Sequence, residues 1–169
     1  MTYKEALTRE MDRLALDPKV RFVGYNTAYG PRMNGTLNNI SIEKCIEMPV
    51  AENLMCGVAI GLALEGFLPV LCFERFDFCL TCADSLINHI GGLQHYGLVL
   101  PMIIRVCIGT NSPLDPGVQH RQDYTSMFRM YSGIDVREFS GVYPSEIDHP
   151  IMIVERKSLY ETDIDTSKL

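Results

Sequence analysis

The sequence predicts an α/β fold in which helices flank a mainly parallel sheet. Short, strongly apolar runs bounded by Gly, Pro and Asn recur along the chain, as at residues 67–73, 101–108 and 150–155. Near-continuous runs of this kind mark strands buried on both faces. Between them lie segments of helical character, and strands alternating with helices build parallel sheets. With 169 residues, 47% of them hydrophobic, the chain can form one domain with a substantial core. No repeat, low-complexity tract or linker divides it, so residues 1–169 are read as a single domain.

In order, residues 3–16 predict an amphipathic helix, with Ala6, Met11, Leu14 and Leu16 apolar among charges, stopped by Asp17-Pro18. Residues 20–24 (VRFVG) form a short strand. Residues 26–41, rich in Gly, Asn, Thr and Pro, predict a long irregular loop, and loops of that length in compact domains are usually functional or mobile. A short strand is expected within residues 42–48, ended by Pro49. Next comes a long apolar helix that Gly66 stops. A strand over 67–73, a second helix over 78–96 and a strand over 101–108 follow. NSPLDPG at 111–117 is a turn-rich loop, leading to a helix over 119–131 and strands over 134–139 and 150–155. One segment fits poorly: SGVYPSEIDH, between the last two strands, is barely long enough for a parallel crossover and has no helical pattern.

A net charge of −6 and the lack of a basic stripe argue against nucleic acid or an anionic membrane as partner. The longest apolar run, residues 54–64, falls short of the roughly 20 residues that cross a bilayer. The amino terminus lacks the apolar core of a signal peptide. Most of the six cysteines sit inside apolar runs, as reduced cysteines do in the cytosol. A cytoplasmic protein is therefore expected. The terminal Ser167-Lys168-Leu169 has the form of a peroxisomal address, relevant only in a eukaryote.

The helix in MPVAENLMCGVAIGLALEG carries one acid, Glu52, in its first turn. A first-turn acid gains from the helix dipole, which alone accounts for many such residues. The helix behind it is apolar on every side as far as Glu65, as expected of one buried all round. Gly57, Ala59, Gly61 and Ala63 permit close backbone approach. Position alone leaves Glu52 open between a capping acid and a site acid. Cys79-Leu80-Thr81-Cys82 has redox spacing but the wrong context, and two core cysteines are the favoured reading. His89 and His95 read as structural. His120, between a Pro/Gly loop and a helix start, stands where ligand contacts often lie. Neither a Walker-type loop nor a strand-linked GxGxxG is present, so any ligand phosphates must be held elsewhere.

Three segments in order, PVAENLMCGVAIGLALEGFLPV (49–70), FERFDF (73–78) and ADSLIN (83–88), resemble the pyrimidine-binding domain of thiamine-diphosphate-dependent enzymes. The nearest likeness is to the β-subunit of the decarboxylase component of 2-oxo-acid dehydrogenase complexes, with transketolases more distant. EALTREM, DPKV, PMIIR and Gln119-His120 are similar to the same pattern, and the resemblance spans residues 3–139. It implies that Glu52 hydrogen-bonds the ring nitrogen of the cofactor's aminopyrimidine and favours the tautomer able to take the thiazolium proton. It also implies that Phe78 packs on that ring and that His120 faces the substrate. The reaction class would be decarboxylation of a 2-oxo acid or transfer of the resulting acyl or ketol unit.

The chain departs from the family at four points. It has no GDG…N motif for the Mg²⁺-bound diphosphate and lacks the further carboxy-terminal domain of such a β-subunit. It reads Gly24-Tyr25-Asn26 where the family usually has an acid, and the helix before the last strand is missing. The resemblance thus implies a stand-alone, trimmed pyrimidine domain in a hetero-oligomer. A diphosphate-binding partner subunit would hold thiamine diphosphate through Mg²⁺, and no metal ligand is expected in this chain. The alternative is a non-catalytic assembly or regulatory subunit that keeps the fold.

Overall fold

The computed structural model describes residues 1–164; the terminal Ser167-Lys168-Leu169 lies outside them. Strands β1 (Val20–Gly24), β2 (Cys45–Glu47), β3 (Leu68–Phe73), β4 (Met102–Ile108), β5 (Asp135–Glu138) and β6 (Pro150–Arg156) form one sheet in the order β2-β1-β3-β4-β6-β5. Every pairing is parallel. The α/β expectation with a mainly parallel sheet therefore holds.

Strand alternation sends successive side chains to opposite faces. Leu71, Phe73, Ile104, Val106 and Val154 face the helices α2 (Glu52–Leu64) and α3 (Thr125–Tyr131). Val70, Cys72, Ile103, Ile151 and Ile153 face α1 (Tyr3–Ala15) and the loop around Met33 and Leu37. Thr2 and Glu5 start α1 with a reciprocal capping box. The expected apolar position Leu16 falls past the end of α1 and is exposed.

Three expectations are corrected. The second helix is not a regular α-helix: residues 76–96 run as a 3₁₀ turn (Phe76–Cys82), a π-helical turn (Ser85–Gly91) and a second 3₁₀ turn (Gly92–Tyr96). A side chain at Gly91 would lie 1.4 Å from the Ser132 carbonyl oxygen, so this segment bends around the end of α3 at contact distance. The helix expected over 119–131 forms only as α3, after a 3₁₀ turn at Val118–His120. Helix α2 is not buried all round. Met55, Cys56 and Ala59 are buried, whereas Leu54 and Leu64 are 52% and 56% exposed, and nothing lies within 4 Å of a side chain built at Gly57 or Gly61.

The short crossover between β5 and β6 is parallel even without a helix. Phe139 and Tyr143 pack into the α1-side core, and α1 holds the segment between them. Arg9 Nη2 donates to the Gly141 carbonyl at 3.1 Å, and the buried Glu10 carboxylate accepts the Tyr143 N–H at 3.1 Å. These bonds satisfy backbone groups that a helix would have satisfied internally.

Across β4 and β6 lies an ion pair that the sequence reading missed. Arg105 and Glu155 are both 0% exposed, with Nε–Oε1 at 2.5 Å and Nη2–Oε2 at 3.0 Å. Thr36 accepts from Arg105, and Tyr143 and Tyr160 donate to Glu155, so every charged atom of the pair except Arg105 Nη1 has a partner.

Candidate functional site

From β1 the chain moves sideways to β2, then returns on the other side of β1 to make β3. Strand order thus reverses between β1 and β3, and ligands of open α/β sheets bind in the crevice beyond the carboxyl ends at such a switch point. Gly24 ends β1 so close to β3 that a Cβ there would sit 2.6 Å from the Cys72 carbonyl oxygen. A pocket of about 100 Å³ opens at this place, lined by Tyr25 after β1, Phe73 and Glu74 at the end of β3, Glu52 and Met55 of α2, and Phe78. Apart from Glu52, Glu74 and the Tyr25 hydroxyl, the residues named are apolar, so the pocket suits a single ring with a polar edge.

Glu52 is half-buried, the first residue of α2, and its head makes a wall of the pocket. Phe78 stands between this pocket and a second cavity of about 190 Å³ lined by Glu74, Arg75, Pro116 and His120. The Phe78 and His120 rings meet edge to face, with centroids 5.6 Å apart. Asp77 Oδ1 accepts the Gln122 N–H at 3.3 Å and so ties the loop carrying His120 to the turn carrying Phe78. The three residues singled out by the resemblance therefore line two adjoining cavities that share Phe78. His89 and His95 are exposed and line neither cavity.

Glu74 and Glu47 were missed. Glu47, at the end of β2, accepts the backbone N–H groups of Asn26, Thr27 and Ala28 at 2.7, 3.0 and 2.8 Å and fixes the loop after β1. Asn26, in the left-handed region with φ of 58°, then donates Nδ2 to Glu74 Oε2 at 3.1 Å. At the departure Gly24-Tyr25-Asn26, an amide thus reaches across to an acid of the neighbouring strand. Glu74 lay within the quoted FERFDF block; its position just past a buried strand was the signal available.

All six cysteines are free. Burial pushes the Cys79 thiol well above its usual range, and a hydrogen bond with Cys56 together with burial does the same for Cys82. Neither provides the thiolate that redox chemistry requires, so the pair belongs to the core. Among the described residues, no group of three or more His, Cys, Asp or Glu is arranged to hold a metal ion, and no helix is long and apolar enough to cross a membrane.

The parallel sheet and the acid-headed pocket at its switch point define a ligand-binding α/β domain. The family model for the pyrimidine-binding domain of transketolase matches residues 1–162, and the chain belongs to that family. Among relatives, it is 28% identical to the β-subunit of the pyruvate dehydrogenase E1 component of Dictyostelium discoideum, over 99% of this chain and 51% of that one. It is 30% identical to the corresponding subunit of Staurastrum punctulatum, over 93% of this chain and 51% of that one. The chain spans about half the length of these curated relatives. Among solved structures, transketolase from Campylobacter jejuni superposes with a TM-score of 0.74 at 16% identity, covering 92% of this chain and 26% of that one. A split gene transketolase, described as an inactive beta4 tetramer, gives 0.64 at 18%, covering 92% and 50%. At these identities the structural likeness establishes the fold.

Proposed function

We propose that this chain acts as a pyrimidine-binding subunit of a split thiamine-diphosphate-dependent enzyme that works on a 2-oxo acid or a ketose. One observation carries the reading: Glu52, the lone acid of an apolar helix, heads a ring-sized pocket at the switch point of a chain in the pyrimidine-domain family. When bound, thiamine diphosphate would supply a carbanion-stabilising centre. Glu52 would hold a proton at the pyrimidine ring nitrogen, Phe78 would pack on that ring, and His120 would face the substrate from the adjoining cavity. Mg²⁺ and the diphosphate would belong to a partner chain.

The exposed apolar stripe of Leu54, Gly57, Gly61 and Leu64 on α2 supports the hetero-oligomer, because uncovered apolar faces of this kind mark interaction sites. Relatives named as β-subunits of a pyruvate dehydrogenase component point the same way. A cytoplasmic location is part of the proposal.

The test is reconstitution with a candidate partner bearing a GDG…N motif. The chain alone binds thiamine diphosphate weakly and does not turn over, while the complex is active. Glu52→Gln lowers the activity of the complex by about 100-fold or more, the usual range for a proton-transfer group. Robust turnover by the isolated chain refutes the split-enzyme reading. Full activity of the Glu52→Gln complex removes Glu52 from catalysis and leaves the second reading, a non-catalytic assembly or regulatory subunit. The helix-free crossover over residues 139–149 favours that alternative.

A further inference from the structure

We propose that Glu74 is a second ligand-facing carboxylate of this pocket and selects a ligand bearing an amino group by accepting a hydrogen bond from it. The inference rests on the cofactor reading above and deepens it. Glu74 lines both cavities that flank Phe78. Its Oε2 is fixed by Asn26 at 3.1 Å, whereas its Oε1 is shielded from solvent and has no hydrogen-bond partner. The adjacent Arg75 guanidinium donates to the Glu74 carbonyl oxygen at 2.6 Å and leaves the carboxylate to other partners.

This half-satisfied state is held in place from three strands. Glu47 at the end of β2 gathers the N–H groups of residues 26–28, which sets Asn26 in its left-handed conformation after β1. The Asn26 amide then claims one oxygen of Glu74 at the end of β3. A carboxylate offers acceptors only, so the free oxygen can be satisfied only by a donor N–H or O–H. A shielded polar atom without a partner is costly, which favours any ligand that supplies one. An aminopyrimidine carries its ring nitrogen and its exocyclic amino group at opposite positions of one ring. Glu52 of α2 and Glu74, the residue directly after β3, are the two carboxylates of the pocket, and they reach it from separate parts of the chain.

The probe pair is thiamine and oxythiamine, which differ by an amino group against a carbonyl at one ring position. Saturation-transfer NMR titrations of the purified chain measure both affinities. The wild type prefers thiamine. Glu74→Gln leaves a single side-chain oxygen, which Asn26 claims, and turns an NH₂ toward the cavity. The preference for thiamine then falls by about tenfold or more and shifts toward oxythiamine. Glu74→Ala lowers the preference without reversing it, and Glu52→Gln weakens both ligands. A merely structural Glu74 weakens both ligands together at unchanged preference, and that result overturns the proposal. An unchanged preference in both Glu74 variants, with thiamine binding still lost in Glu52→Gln, overturns it while the cofactor reading stands. Failure of the wild type to bind either compound, alone and with its partner, overturns both.

Discussion

Replacing Glu155 by Gln tests the Arg105 pair that ties β4 to β6. The carboxylate receives Arg105 at 2.5 and 3.0 Å and the hydroxyls of Tyr143 and Tyr160 at 3.3 Å each. Arg105 has little slack: Nη1 already lacks a partner, and only Thr36 remains as a further acceptor. Neutralising Glu155 leaves a guanidinium that stays charged at full burial, and breaking a buried pair in this way costs about 3–5 kcal/mol. Against a total stability of roughly 5–15 kcal/mol, that is a large share. For a domain of this size each kcal/mol shifts Tm by about 2–4 °C, so the melting temperature falls by roughly 6–20 °C. Far-UV circular dichroism on heating reads the change. The double variant Arg105→Met/Glu155→Leu recovers much of the loss, since an apolar replacement of a buried pair is often near neutral. A Glu155→Gln protein melting within about 2 °C of wild type, or a double variant less stable than the single, refutes the reasoning.

Leu54→Asp, on the bare face of α2, leaves the melting temperature of the isolated chain nearly unchanged and weakens partner association by about tenfold or more, read by calorimetry or gel filtration. Undiminished association places the interface elsewhere. Stability also depends on pH at the β5 edge. A hydrogen bond with Asp148, helped by Asp135, raises His149 above 6.5, and Arg137 holds Asp135 below 3.8. The His149 contribution is complete below 6.5 and is lost as pH rises through its raised value. The Asp135 contribution is complete above 3.8 and is lost as pH falls through its lowered value. Melting temperatures across pH therefore show a small plateau between these limits, and His149→Asn removes the decline on its alkaline side. Identical profiles for the two proteins contradict the assignment.

Much of this protein follows from sequence alone. Runs such as MIIRVCI are apolar enough to be buried on both faces, so the sheet and its parallel character follow from composition and spacing. The resemblance carried by the FERFDF and AENLMCG blocks marks Phe78 and Glu52, and both line one pocket in the structure. Other features depend on contacts between distant segments, which no local pattern encodes. The segment 76–96 has a helix-compatible sequence, yet its coil is set by the Gly91 approach to Ser132, 41 residues further along the chain. Helix α2 reads as buried because it is apolar all round, but burial depends on what covers it, and this chain covers only one side. Glu74 looks like an ordinary charge after a strand. Its half-satisfied carboxylate exists only because the turn after β1, pinned by Glu47 of β2, brings Asn26 beside it. Local pattern determines which segments become strands and which acid heads α2, because period and propensity act within a few residues. Tertiary structure alone decides which polar atoms end up partnered, because a hydrogen bond or ion pair such as Arg105–Glu155 joins positions 50 residues apart.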